Sequence, residues 1–83
     1  VYFKGVRANG FHFIQKPLKS EYGVKIRYQR DELPAAITSF DEAKGEIELK
    51  FLQDARAVTP GQALVLYDGE EVIGGGWIAN ALH

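Results

Sequence analysis

Apolar and polar residues alternate with a period of two along much of the chain. Tyr22, Val24, Ile26 and Tyr28 alternate with Glu21, Gly23, Lys25, Arg27 and Gln29. Successive strand side chains point to opposite faces, so this stretch predicts a strand with one apolar and one charged face. Ile47, Leu49 and Phe51, interleaved with Glu46, Glu48 and Lys50, predict another. Between them Ala35–Phe40 reads as a strand, and the polar Asp41–Gly45 as a hairpin loop. Ala63–Tyr67 is apolar without a break. That predicts burial on both sides, or a closed-barrel wall packed against something outside. Phe11, Phe13 and Ile14 suggest a strand near the start, and Val72-Ile73 with Trp77-Ile78 one near the end. Helical periodicity is absent, and only residues 54–58 read as one short turn of helix.

The turns carry their own chemistry. Thr59-Pro60-Gly61-Gln62 places Pro, with its preset φ, before a Gly that tolerates the positive φ of a type II turn. Asp68-Gly69 opens another turn. Gly74-Gly75-Gly76 lies inside a strand pattern, where glycine marks a bulge, a corner or the close approach of another backbone. A phosphate-cradling loop would instead open a helix. Six or seven short strands predict an all-β fold, and closure into a small barrel would remove exposed edges. Residues 1–10 read as the end of a preceding segment or linker, residues 11–83 as the barrel, and Trp77 as core.

Composition narrows the chemistry. With 83 residues there is room for one small domain. Zero cysteines exclude disulfides, cysteine-ligated zinc and a thiol nucleophile on this chain. Two histidines, His12 and His83, argue against a histidine metal cage. The acidic pairs Asp31-Glu32, Asp41-Glu42 and Glu70-Glu71 sit in turn-like stretches, and strand neighbours point apart, so they make poor acid–base dyads. Ser20 and Ser39 show no triad pattern. No apolar run reaches the ~18 residues of a membrane span. The chain has no methionine and opens on Val1-Tyr2-Phe3, which reads as a piece of a longer polypeptide.

Charge is unevenly distributed. Residues 1–30 carry +6 and residues 31–83 carry −7. Lys25, Arg27 and Gln29 occupy alternate positions on one strand face, roughly 6.6–7 Å apart, and Arg30 follows. With Lys16 and Lys19 they form a candidate phosphate-binding set. The same face could equally be solvated, its cations paired across strands with Glu46 or Glu48. The pattern leaves both readings open.

Three blocks, in order, resemble the C-terminal domain of tRNA-specific 2-thiouridylases. Lys25-Ile26-Arg27-Tyr28 followed by Pro34-Ala35 is similar to its "K-x-R-Y … P" strand. Ala57-Val58-Thr59-Pro60-Gly61-Gln62 with Val65, Tyr67 and Gly69 resembles "A-V-T-P-G-Q-x-x-V-x-Y-x-G". Ile73-Gly74-Gly75-Gly76-Trp77-Ile78 resembles the closing "L-G-G-G-x-I", and His12-Phe13-Ile14 is a weaker echo of "N-W-I". The resemblance implies a closed barrel like that of aminomethyltransferases and elongation-factor second domains. It implies an ATP-dependent tRNA-uridine 2-sulfurtransferase as the parent, cytoplasmic or organellar and here expected in the cytoplasm. Its ATP, Mg and active cysteines would belong to a catalytic domain outside this stretch, and its sulfur would come from a relay protein. The fragment would be non-catalytic and help embrace tRNA near the anticodon. The alternative is a protein-docking barrel that braces the catalytic domain through Ala63–Tyr67.

Overall fold

Six antiparallel strands close into a barrel in the computed structural model, which describes residues 2–26, 32–55 and 58–83. They are β1 (Phe3–Phe13), β2 (Glu21–Ile26), β3 (Leu33–Asp41), β4 (Glu46–Ala55), β5 (Ala63–Asp68) and β6 (Glu71–Leu82). Around the barrel the order is β1-β4-β3-β2-β5-β6, with β6 returning to β1. The expected barrel is therefore present, and every strand edge is paired.

The period-two pattern maps onto the wall. Tyr22, Val24 and Ile26 of β2 and Ile47, Leu49 and Phe51 of β4 are buried in one core. The apolar run of β5 also alternates: Leu64 and Leu66 are fully buried, while Ala63, Val65 and Tyr67 form a half-buried outer row. No polar side chain is buried among the described residues. Tyr22 keeps its hydroxyl satisfied at the rim, accepting a 2.9 Å bond from the Lys19 amide.

Two expectations need correction. Residues 3–10 are not a preceding segment. They are the first part of β1, which pairs with β4 and β6, and Val6 and Ala8 are fully buried. Glycines hid this strand in the sequence, because Gly5 and Gly10 break its apolar alternation. At Gly5 the Leu49 carbonyl leaves no room for a Cβ, so glycine lets β1 and β4 pack. Trp77 is not core either; it is 59% exposed. Gly74, Gly76 and Ile78 take the inward phase of β6, so Trp77 must face out.

The glycine run does not interrupt β6. A Cβ on Gly74 would lie 2.6 Å from the His12 carbonyl oxygen, and one on Gly76 2.8 Å from that of Asn9. Both would also press on Phe11, at 3.0 Å. The glycines thus make space for the β1 backbone and the fully buried Phe11 ring. Gly10, at φ 57°, supports the bulge that puts the ring there. Asn9 pairs with Trp77 and His12 with Gly75, so β1 carries one extra residue over this interval. Phe11 then stacks edge-on with Phe13 at 4.9 Å and Phe40 at 6.3 Å, and its amide donates to the Gly45 carbonyl of the β3–β4 loop at 2.9 Å.

The Thr59–Gln62 turn forms as expected. Gly61 has φ 91°, the Gln62 amide donates to Thr59 O at 3.3 Å, and the Gln62 side chain accepts from the Thr59 amide at 2.9 Å. These glycines separate two costs. Gly61→Ala meets open space and should lose about 1–2 kcal/mol through its backbone alone. Gly76→Ala collides with a neighbouring strand and should lose about 1–3 kcal/mol or more. Urea midpoints of the two variants test this, and Gly61→Ala as the more damaging change would contradict it.

Candidate nucleic-acid interface

The register of β2, β5, β6 and β1 assembles a continuous outer surface. Residues directly opposite in antiparallel strands present side chains on the same face. One row runs Lys25–Val65–Gly75–His12, and the next Ala63–Trp77–Asn9. On the other side of Lys25, Gly23 pairs with Tyr67. The rows through Val65 and Trp77 contain no carboxylate, whereas the Glu32 carboxylate lies over Gly23, beside Tyr67. Acids border the surface at its Tyr67 end, where Glu21, Glu32 and Asp68 line a depression, and another set, Asp41, Glu46 and Glu48, borders a depression on the β3–β4 wall. In a ring of six strands, that wall lies across the barrel from β5 and β6.

The candidate cations fall into different environments. Lys25 Nζ sits 5.0 Å above the Tyr67 ring, a cation–π contact, and has no ion pair among the described residues. The Glu32 carboxylate nevertheless lies over Gly23, the next outward position of β2. Lys19 is already committed, since its Nζ lies 2.9 Å from Asp68 Oδ1. Hydrogen bonding to Asp68, then its charge, raises the Lys19 pKa. A raised lysine pKa adds stability that is complete below the ordinary lysine range and lost as pH rises through the raised value. This pair is therefore constant near neutrality. Lys16 stands apart, on a depression of about 440 Å³ with Phe13, Ile14, Pro17, Phe40 and Glu42. Arg27, Gln29 and Arg30 lie outside the described residues.

The cross-strand pairing considered for Glu46 and Glu48 takes a different form. Both acids are on β4, which β3 separates from β2. Glu48 instead binds Arg7 of β1, its direct cross-strand partner, accepting from both Nε and Nη2. That hydrogen bond and the charge of Glu48 raise the Arg7 pKa. Both described ion pairs thus join a cation of the basic first third to an acid of the remainder, and Lys25 is left out of this cancellation.

Sequence reasoning missed the aromatic part of the surface. Hydrophobicity assigns Trp77 inward, and Tyr67 reads as part of an apolar run and of a motif block. The parity of Trp77 with Gly75, against the space-making Gly74 and Gly76, was the available signal. Ile14 and Leu18, 71% and 88% exposed, were also missed as surface apolar groups. They lie in the segment joining β1 to β2, which is pinned to the β5–β6 hairpin. Gln15 Nε2 donates to Glu71 at 2.8 Å, and the Ile14 amide donates to Ile73 O at 2.7 Å. Ala63–Tyr67, the strand considered for docking, presents no comparable bare patch: Val65 and Tyr67 are half-buried and Tyr67 is covered by Lys25.

The Gly74–Gly76 run does not fit a phosphate. The His12 and Asn9 carbonyls and the Phe11 ring fill the space beside Gly74 and Gly76, and a carbonyl oxygen repels an anion. What this wall can offer is a lysine without a salt bridge among the described residues, a histidine, amide and backbone hydrogen bonds, and exposed aromatic surface.

Comparison with known proteins agrees with this architecture. The chain is 43% identical, over an 89-residue alignment spanning all of it, to the tRNA-specific 2-thiouridylase MnmA of Pediococcus pentosaceus. It is 35% identical over its whole length to the enzyme of that name from Geotalea uraniireducens, and 50% identical over 78% of its length to that of Rickettsia felis. The aligned part is 23%, 22% and 17% of those proteins, so the chain spans about a fifth of their length. A family profile described as the aminomethyltransferase beta-barrel domain matches residues 3–78, from the first residue of β1 into β6. With six strands, closure and profile in agreement, the chain belongs to the aminomethyltransferase beta-barrel domain family.

Proposed function

We propose that this barrel is the C-terminal domain of a tRNA-specific 2-thiouridylase, and that it holds tRNA while the rest of the polypeptide thiolates the wobble uridine. One observation carries the reading: two outer rows without carboxylates, one with Lys25 and His12 and the next with Trp77, lie across the barrel from the acid-lined β3–β4 depression. A polyanion lowers its energy by lying on those rows and away from that depression. The names of the relatives supply the polyanion, tRNA. The tRNA region engaged is the anticodon arm, which the chemistry must reach. The barrel itself is non-catalytic. ATP and Mg are bound by the catalytic part, which also meets the sulfur-relay protein, and the enzyme works in the cytoplasm.

A second reading has its own observation. Exposed Ile14 and Leu18 could brace the catalytic part, leaving RNA contact incidental. Kinetics separate the two. The parent polypeptide shortened by this barrel should thiolate tRNA with a raised KM and a largely retained kcat, as expected when binding is lost uniformly. A fall in kcat at unchanged KM would contradict the holding role and favour bracing.

A further inference from the structure

We infer that Trp77 is a stacking platform for an unpaired nucleobase of the bound tRNA; this rests on the proposed tRNA-holding role and assigns the wall a specific contact. A tryptophan with 59% exposure leaves a large apolar surface in water, an arrangement that needs an occupant. Its surroundings make it accessible. Its cross-strand partners are the short Ala63 and Asn9, and the next outer position along β6 is Gly75. On the β1 side the indole Cδ1 approaches Gly10, another residue without a side chain. A planar group can therefore approach the indole with little obstruction from neighbouring side chains.

Charge favours a nucleotide over an apolar protein segment. Lys25 and His12 occupy the two ends of the neighbouring row, Lys25–Val65–Gly75–His12, and no carboxylate intervenes among the described residues. A base stacked on Trp77 would have its sugar–phosphate backbone alongside that row, within reach of a cation. Stacking on aromatic side chains with cations tracking the backbone is the general mode for unpaired strands. A paired duplex hides its base faces, so the site takes a loop or bulge nucleotide. Fold support does not depend on the indole, since the inward positions are filled by Phe11 and Ile78.

The test uses the full-length polypeptide and a tRNA substrate transcript, with binding measured across a salt series. Trp77→Ala should weaken binding about 5- to 100-fold, and Trp77→Tyr should keep most of the affinity. Stacking releases no counterions, so the slope of log K against log salt should be the same for Trp77→Ala and the parent, whereas Lys25→Ala should flatten it. The fluorescence difference between the parent and Trp77→Tyr should be quenched by tRNA. If Trp77→Ala binds as the parent does while Lys25→Ala flattens the slope, the stacking assignment is overturned and the tRNA-holding role stands. If neither variant changes binding, both are overturned. Unchanged tRNA binding by Trp77→Ala, with faster proteolysis between barrel and catalytic part, would place Trp77 in a protein interface and also overturn the assignment.

Discussion

Phe11→Ala is expected to cost the barrel about 3–5 kcal/mol, a large share of its stability. The ring is 1% exposed and lies against two glycines, Gly74 and Gly76, that contribute no side chains of their own. Truncating a buried phenylalanine costs about 3–5 kcal/mol, and the cost is highest where neighbours cannot collapse into the space. Here collapse is blocked. The glycines cannot extend, and their backbones are already seated against the His12 and Asn9 carbonyls. A domain of this size has roughly 4–12 kcal/mol in total, at 0.05–0.15 kcal/mol per residue. At the lower end of that range the variant should sit near its unfolding midpoint in water, and at the upper end its urea midpoint, followed by circular dichroism, should fall by roughly a third. Phe40→Ala, which removes a partly exposed member of the same cluster, should cost clearly less. Adding Gly76→Ala to Phe11→Ala should also cost somewhat less than it does alone, because the contact with the Phe11 ring is gone while those with the Asn9 carbonyl and the Phe11 Cα remain. A Phe11→Ala variant within about 1 kcal/mol of the parent would contradict this packing.

The same residues show how far the sequence could be read. Strands β2 and β4 were legible because each is half-buried, and burial imposes a period of two on residue type. The Thr59–Gln62 turn was legible because Pro and Gly each restrict or permit one φ value. β1 was not, because its glycines answer to another strand's backbone, a long-range fact with no local mark. Trp77 failed for a related reason: hydrophobicity alone assigns tryptophan inward, and its true side depends on which glycines of β6 face Phe11. The chemistry was legible in sign but not in detail. The basic first third was visible, yet Arg7 and Lys19 are neutralised by Glu48 and Asp68, partners 41 and 49 residues away. Only the strand order reveals that Lys25 escapes such pairing.

Replacing Lys25, Arg27 and Arg30 together by alanine in the full-length polypeptide should weaken tRNA binding on the order of 100-fold near 0.1 M salt. Each phosphate contact contributes roughly 0.7–0.9 to the slope of log K against log salt, and the slope falls as contacts are removed. Three lost contacts at that salt give the stated loss. The loss should shrink as salt rises, because ions already screen what the variant lacks. It should also be nearly equal for unrelated tRNA sequences, since phosphates carry no base identity. Lys19→Ala should move the slope less than Lys25→Ala, because the Lys19 ammonium already spends its charge on Asp68. Parent-like affinity of the triple variant from about 0.05 to 0.2 M salt, a range over which real phosphate contacts change binding steeply, would remove these three residues from the RNA-binding set. Parent-like salt slopes with a uniformly lower affinity would point to contacts other than phosphate, and Lys25 would then matter through its place over Tyr67 rather than its charge.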